Sequence, residues 1–259
     1  MEKYSFNAEQ VTKDLIQWTK DWFAQNGANA NVVVGMSGGK DSTVAAAILC
    51  KALGADRVIG VGMPDVDSGQ GLNDADKISE YLGIRFLNVS VSAACQGISE
   101  SIKAAGIELS QQSEQNVPPR IRMTTLYAIG QTLNGRVVNT CNLSEDYIGY
   151  ATKFGDGAGD FSLFADLTVT EVLAIGDYLG LPYEWVHKTP DDGLPHSSSD
   201  EKKIGFMYAE LDKFIREGIV PEGHCHDNPE EPTKLEKIEN MHRWNLHKIL
   251  PMPSFKIGE

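Results

Sequence analysis

The sequence predicts an α/β protein built on a doubly wound, mostly parallel sheet flanked by helices, and three observations carry that prediction. An apolar β-branched run at residues 32–34 has the composition of a strand buried on both faces, and further strands are read at 58–63 and 85–89. Helix-forming segments separate them, as right-handed crossovers between parallel strands require. At 259 residues, with 41% hydrophobic content, the chain is long enough to bury an ample core around one such sheet.

Taken in order, residues 8–25 read as an amphipathic helix with Val11, Leu15, Trp18, Trp22 and Phe23 on one side for packing. The strand at 32–34 breaks at Gly35 and passes through Met36-Ser37-Gly38-Gly39-Lys40-Asp41-Ser42. Good helix formers follow from 43 to 53, closed by Gly54. Strand, glycine loop and helix together aim free backbone N–H groups and a positive dipole end at a phosphate. Gly38 and Gly39 let the backbone approach an anion without a Cβ in the way. Ser37 and Ser42 add hydroxyl donors, and Lys40 adds a charge.

The second strand, 58–63, ends at Pro64-Asp65, and a polar loop runs on to Asn73 before a helix over 74–82. Ligands in open α/β sheets bind beyond the carboxyl ends of strands, so the 62–71 loop is either an adenosine pocket wall or an ordinary connection. The third strand covers 85–89. Residues 92–107 read as a helix, 110–115 as a polar loop, and Pro118-Pro119 precede a helix over 120–133. That places Arg120 and Arg122 in a first helical turn, where cations oppose the dipole unless an anionic ligand or acidic group faces them.

A fourth strand, 136–141, leads into residues 149–160, where three glycines and two aspartates fall between Gly155 and Asp160. Such a loop is shaped for close approach to something polar, but lacks the ligand spacing of an EF-hand. A helix over 168–179 presents Val172, Leu173, Ile175 and Leu179 to the core. Residues 187–203 have the composition of a mobile surface loop. Helices are expected over 201–217 and 235–250. His224-Cys225-His226 lacks nearby partners at zinc spacing. His242, Arg243, His247 and Lys248 make the C-terminal helix the densest cationic stretch, either a solvated helix end or an anion site.

The formal net charge of −13 disfavours a nucleic-acid partner, so anions must be held by a few local cations, glycine loops and metal ions. Four scattered cysteines with no CxxC pair point to reduced thiols in a cytoplasm, and argue against thiol-transfer or iron–sulfur chemistry. Residues 1–6 run into polar helical sequence with no leader pattern. No apolar stretch approaches membrane-spanning length, so no membrane partner is expected.

The glycine loop is not a Walker motif, which needs glycine where this chain has Val34 and Ser or Thr where it has Asp41. Nor does it have the three-glycine spacing of a dinucleotide fingerprint. Asp41 in a phosphate loop would repel the phosphates unless a divalent cation lay between them, which makes it a candidate magnesium ligand. Residues 37–42 resemble the SGGxDS loop of the ATP pyrophosphatase superfamily, whose members cut ATP between its α- and β-phosphates to activate a carbonyl oxygen.

Further motifs narrow the resemblance to the ammonia-dependent NAD synthetase family. They are Pro119-Arg120-Ile121-Arg122-Met123, Thr140-Cys141-Asn142-Leu143-Ser144-Glu145, Gly149-Tyr150, Lys153-Phe154-Gly155-Asp156-Gly157, Asp160, Asp200-Glu201, and His247-Lys248 followed by Pro251. The resemblance implies an adenine nucleotide alpha-hydrolase-like fold and a single domain over 1–259, with a helical C-terminal segment from 201. It implies that the nicotinate carboxylate of deamido-NAD attacks ATP, and that ammonia then displaces AMP to form NAD. It assigns ATP to Gly35, Met36, Ser37, Gly38, Gly39, Lys40, Asp41, Ser42, Met63, Thr140 and Lys188, and magnesium to Asp41 and Glu145. Deamido-NAD falls to Arg120, Lys153, Asp160, His247 and Lys248. Asp41 and Asp156 are the catalytic candidates, Asp156 as the group that deprotonates ammonium.

The resemblance further implies a homodimer with the deamido-NAD site at the subunit interface, and closure of the 187–203 loop over it. Val169 stands where many relatives carry an ATP-binding lysine, Gly62 where many carry an arginine, and Asp191 where Thr or Ser is common. The phosphate loop is expected to lean more on magnesium and on Lys40 or Lys188 in their place. The rival readings are another adenylating enzyme of the superfamily, including a nucleic-acid modifier, or a nucleotide-binding sensor. The acidic charge opposes the modifier, and the paired metal carboxylates oppose the sensor.

Overall fold

The structure, a computed structural model, describes residues 4–65, 69–187 and 200–257, with the backbone alone at 69–71. Five parallel strands form one sheet: β1 (Asn31–Gly35), β2 (Val58–Gly62), β3 (Arg85–Asn88), β4 (Gly135–Asn139) and β5 (Phe161–Ser162), in the order β3-β2-β1-β4-β5. The chain winds outward from β1 through β2 to β3, then returns to the other side of β1 for β4. The strand order therefore reverses between β1 and β4, which is where open α/β sheets leave a crevice for ligands.

Helices cover both faces: α1 (Ala8–Asn26), α2 (Lys40–Leu53), α3 (Gly69–Leu82), α4 (Ser92–Ala104), α5 (Gln111–Thr132), α6 (Leu143–Ile148), α7 (Val169–Tyr178), α8 (Tyr183–Val186), α9 (Asp200–Ile204), α10 (Tyr208–Glu217) and α11 (Lys234–Ile249). The alternation within β1 shows why its apolar run is continuous. Val32 and Val34 enter the core shared with α1, α2, α3 and α7. Val33 enters the opposite core, where Leu126, Ile129 and Leu133 pack against it together with Ile59 and Val61. All three valines are fully buried, so neither face tolerates a polar residue.

Several boundaries differ from expectation. α2 begins at Lys40, because the amide and hydroxyl of Thr43 both bond the Gly39 carbonyl (3.2 and 2.7 Å), so Asp41 lies in the first turn. Residues 110–115 are not a loop: the Ser110 side chain accepts from the Ser113 amide and starts α5. The helix then continues through Pro118 and Pro119, whose missing N–H groups leave the carbonyls of the exposed residues Glu114 and Gln115 to water. Arg120 and Arg122 thus sit within the helix, and the dipole argument for an anionic partner does not apply to them. The expected helix over 201–217 breaks at Gly205, whose φ of +89° is left-handed and whose Cα lies against Cys225. Helices α6 and α8 and the two-residue β5 are too short to leave a periodic signal.

α10 is tied to α7 by a buried ion pair. Arg216 donates through Nε and Nη2 to the two carboxylate oxygens of Glu171 (2.8 and 2.7 Å), and the Tyr4 hydroxyl donates to the same group. Burial would raise the Glu171 carboxyl, but Arg216, Tyr4 and the Thr168 amide outweigh it and hold the pKa below the ordinary value. A depressed native pKa contributes stability above the unfolded pKa (about 4.3), and that stability is lost as pH falls through the native value. Arg216→Met leaves a buried, uncompensated carboxylate and is expected to cost about 3–5 kcal/mol at pH 7. Urea unfolding should show that deficit shrinking at pH 4, where the variant's carboxyl protonates.

Candidate active site

The crevice between β1 and β4 is floored by the phosphate loop. Gly38 takes a φ of +78°, a left-handed turn open to glycine and strained for other residues. Inside the loop, Ser37 Oγ accepts from the Gly39 amide (3.2 Å) and lies 3.3 Å from Ser42 Oγ, which donates to the Gly39 carbonyl (3.1 Å). Met36 serves the loop from beneath: its side chain is buried under Gly60 and its amide donates to the Val61 carbonyl (2.8 Å). A Cβ on Gly35 would touch Met63 and Leu126 only at ordinary contact distance.

Three charged groups meet at the start of α2. Lys40 Nζ lies 2.9 Å from Asp41 Oδ2, and Asn142 Nδ2 donates to Asp41 Oδ1 (3.1 Å). Asn142 is fully buried and caps α6, accepting from the Glu145 amide (3.1 Å) while its own amide points at Glu145 Oε2. It is the rigid link between Asp41 and Glu145. Sequence reasoning passed over Asn142, although Asn-x-x-Glu is a capping-box signal. Burial raises the Glu145 carboxyl to about 8, and the charges of Asp41 and Asp200 add to that, against the pull of Lys40 and the Asn142 amide. Burial works to lower the Lys40 pKa, but Asp41, Glu145 and Asp200 together hold it above the ordinary lysine value. Its charge is therefore engaged by carboxylates.

This donor set fits a divalent cation. Two carboxylates face one crevice, and one of them is driven towards its neutral form by burial and by the other's charge. Among the described residues no group of three or more His, Cys, Asp or Glu gathers at metal spacing, so no all-protein cage forms. Magnesium takes one or two carboxylates and completes its shell with substrate phosphates and water.

A second part of the site lies beyond β4, where a cavity of about 300 Å³ is bounded by Asp146, Thr152, Lys153, Gly157 and Lys248 and reaches Asn139. The loop behind it is anchored to β4: Asp160 accepts from the Val137 amide (2.7 Å) and its own amide returns a bond to the Val137 carbonyl. A Cβ on Gly159 would lie 2.6 Å from the Asn139 amide nitrogen, so only glycine lets the loop pass this close. Asp156 accepts from the Thr152 amide (2.7 Å). Desolvation raises its carboxyl, while the amides of Thr152, Asp156 and Gly157 and the Lys248 ammonium pull it back. Burial and the neighbouring Asp156 push Asp146 up to about 6.

α11 closes this half of the site. His242, Asn245 and Lys248, on one helical face, donate to the successive carbonyls of Tyr147, Ile148 and Gly149 at the end of α6 (2.7, 3.1 and 2.7 Å). Lys153 Nζ donates to the His247 carbonyl (2.5 Å), and Arg120 Nε to the Lys153 carbonyl (3.3 Å). The structure thus gathers Arg120, Lys153, His247 and Lys248 around one loop. Arg122 turns the other way, bonding the Met63 carbonyl (3.0 Å) and Asp65 (3.1 Å). Thr140 is half-buried at the carboxyl end of β4. Lys188 and Asp191 lie outside the described residues, as does most of the 187–203 stretch.

The remaining sequence expectations resolve simply. His226 bonds Glu231 and the Lys202 carbonyl, and His224 the Glu231 carbonyl, so both rings shape a turn. Val169 is buried beside Ile148 and Ile204, pointing into the core. A Cβ on Gly62 would lie 2.7 Å from the Phe86 ring and 2.8 Å from Leu72, so an arginine there requires both to move.

Sequence and structure comparisons agree with this geometry. The NAD synthase family profile matches residues 11–252. The NH(3)-dependent NAD(+) synthetase of Methanococcus aeolicus is 37% identical over 81% of this chain and 82% of its own length. That of Carboxydothermus hydrogenoformans is 35% identical over 82% and 87%. The structure of NMN synthetase from Francisella tularensis superposes with a TM-score of 0.84 at 31% identity, covering 97% of this chain and all of that one. The chain belongs to the NAD synthase family.

Proposed function

We propose that the protein amidates deamido-NAD with ammonia to form NAD, a carbon–nitrogen ligation driven by ATP. The observation that carries this reading is the Asp41–Glu145 pair, held by Asn142 across a glycine phosphate loop in a chain of this family. A nicotinate carboxylate oxygen attacks the α-phosphorus, the bond to the β-phosphate oxygen breaks, and pyrophosphate leaves. Ammonia then attacks the acyl carbon of the adenylate, AMP departs, and the nitrogen loses a proton, for which Asp156 is the proposed acceptor.

The barrier is the approach of an anion to a polyanion, so catalysis rests on positioning and charge. Gly35 and residues 37–42 cradle the phosphates, with Met36 supporting the loop from below, while Met63 and Thr140 border the nucleotide. Asp41 and Glu145 hold magnesium, which when bound neutralises phosphate charge. Lys188 joins the ATP contacts on the family resemblance alone. Arg120, Lys153, Asp160, His247 and Lys248 receive deamido-NAD. In this reading residues 1–259 act as one domain, the C-terminal helices included.

The protein is further proposed to act as a cytoplasmic homodimer with no nucleic-acid partner. Trp244, Met252 and Phe255, exposed and close to His247 and Lys248 along the chain, would supply apolar surface for a subunit contact. No described helix is long and apolar enough to cross a membrane.

The likeness to an NMN synthetase supports a second reading, in which the acceptor is nicotinate mononucleotide. One assay separates the two: ATP, magnesium and ammonium with either acceptor, following pyrophosphate, AMP and the amide. Equal yields of all three, with the higher kcat/KM for deamido-NAD, are expected. A higher kcat/KM for the mononucleotide selects the second reading. Pyrophosphate and AMP without amide would mean a different acceptor, and no pyrophosphate would overturn the adenylating mechanism.

A further inference from the structure

Asn139 ends β4, and its side chain is held from both sides. Its Oδ1 accepts from the Cys141 amide (2.9 Å) and from Ser162 Oγ (3.3 Å), while its Nδ2 donates to the Asp156 carbonyl (3.1 Å). Turning the amide over would set its NH₂ group against the Cys141 N–H, so its orientation is fixed. The Gly159 loop presses on the same residue, since a Cβ on Gly159 would lie 2.8 Å from Asn139 Cβ. An amide nitrogen carries two protons. Asp156 takes one, and the other has no acceptor among the described residues.

Asn139 is buried, yet it lines the cavity of about 300 Å³ that Lys153 and Lys248 also bound. A fixed, unspent donor on a cavity wall fits an oxygen that arrives with a ligand. Its place in the fold says which oxygen. Three residues further along the chain, Asn142 bonds Asp41 in the phosphate crevice, and Lys153 and Lys248 stand on the cavity side. An acyl adenylate has its phosphate in the crevice and its acceptor part in the cavity. The acyl group joins the two, and the carboxyl end of β4 is where the two spaces meet.

We propose that the free Nδ2–H of Asn139 donates to the acyl oxygen of the adenylate and stabilises the negative charge that the attack of ammonia places there. The inference rests on the amidating function proposed above. In that step the nitrogen lone pair forms the carbon–nitrogen bond, and the carbonyl π pair moves onto oxygen. When that pair returns, the bond from the acyl carbon to the phosphate oxygen breaks. AMP leaves with those electrons, and the proton of the nitrogen passes to Asp156. A donor already aimed at the oxygen lowers this barrier. It gives no help to the earlier attack on phosphorus, in which the carboxylate loses charge.

Single-turnover quench measurements of pyrophosphate, adenylate and amide with the preferred acceptor separate the two steps. Asn139→Ala is expected to slow conversion of adenylate to amide about 10²-fold, the usual loss for one such donor, while pyrophosphate release stays near wild type. Adenylate should therefore accumulate. Asn139→Asp keeps an acceptor for Cys141 and Ser162, so it serves if the alanine variant fails to fold, and its loss should fall on the same step. Cys141→Ala is the structural control. Cys141 Sγ donates to the same Asp156 carbonyl (3.4 Å), so its removal loosens the loop and leaves the Asn139 amide in place. Both steps should then run close to wild type. An undiminished amide step in the Asn139 variants, equal slowing of both steps, or an equal loss in Cys141→Ala would overturn the proposal. Wild type that forms no adenylate would remove the amidating function as well, whereas unaffected variants beside an active wild type remove this contact alone.

Discussion

Asp41→Asn is expected to lower the rate of pyrophosphate release by about 10²–10³-fold or more, with little change in melting temperature. The substitution keeps the side chain's size, and an amide oxygen can still accept from Asn142 Nδ2, so the Asp41–Asn142 contact survives. What disappears is one negative charge. Against folding, that change is small. A carboxylate in the first turn of a helix contributes about 0.3–1 kcal/mol through the dipole, and Lys40 retains Glu145 and Asp200 as neighbours. Against catalysis it is large if Asp41 and Glu145 hold magnesium as proposed, because the transition state concentrates phosphate charge and Glu145 alone would then supply half the carboxylates. Measuring pyrophosphate release and thermal unfolding on the same preparation separates the two effects. A fall of less than tenfold, with the fold intact, would mean that Asp41 does not face the reacting phosphates.

The sequence disclosed the parts of this protein whose signal is local. The phosphate loop was legible because strand, glycine turn and helix follow one another directly, and β1 and β2 because strands buried on both faces need unbroken apolar runs. Assigning Arg120 to a helix start failed for a definite reason. Paired prolines ordinarily mark an N-terminus, but here Ser110 caps α5 earlier and solvent takes over the carbonyls that the prolines strand. What lay beyond reach was contact across the chain. Asn142 and Asp41 are separated by 101 positions, and α10 meets α6 through the Asp212–Ser144 bond and the packing of Tyr208 with Ile148. The cations of α11 show the same limit. Their density suggested an anion site, yet His242 and Lys248 also cap the carbonyls of α6, which no spacing in the sequence announces.

That capping makes Gly149→Ala the most damaging single-methyl change expected here. Gly149 ends α6 with a φ of +64°, and its amide closes the helix on Asp146 and Glu145. A Cβ in this conformation costs about 1–2 kcal/mol by itself. The larger effect is steric: the new atom would lie 2.0 Å from Asn245 Cβ and 2.5 Å from its Cγ. A Cβ cannot rotate away, so α11 itself must shift, loosening the bonds of His242, Asn245 and Lys248 to α6 at once. Together these effects should destabilise the protein by roughly 3–5 kcal/mol. The functional damage should be lopsided, since the phosphate loop is built on β1 and α2, whereas His247 and Lys248 ride on the displaced helix. The KM for deamido-NAD is therefore expected to rise several-fold more than the KM for ATP. Adding Asn245→Gly removes the opposing Cβ, at the cost of about 1 kcal/mol for glycine within a helix, and should restore part of both the stability and the deamido-NAD KM. If Gly149→Ala melts like wild type and keeps its KM values, α11 does not dock on Gly149, and Lys248 is free of the carbonyl that now positions it.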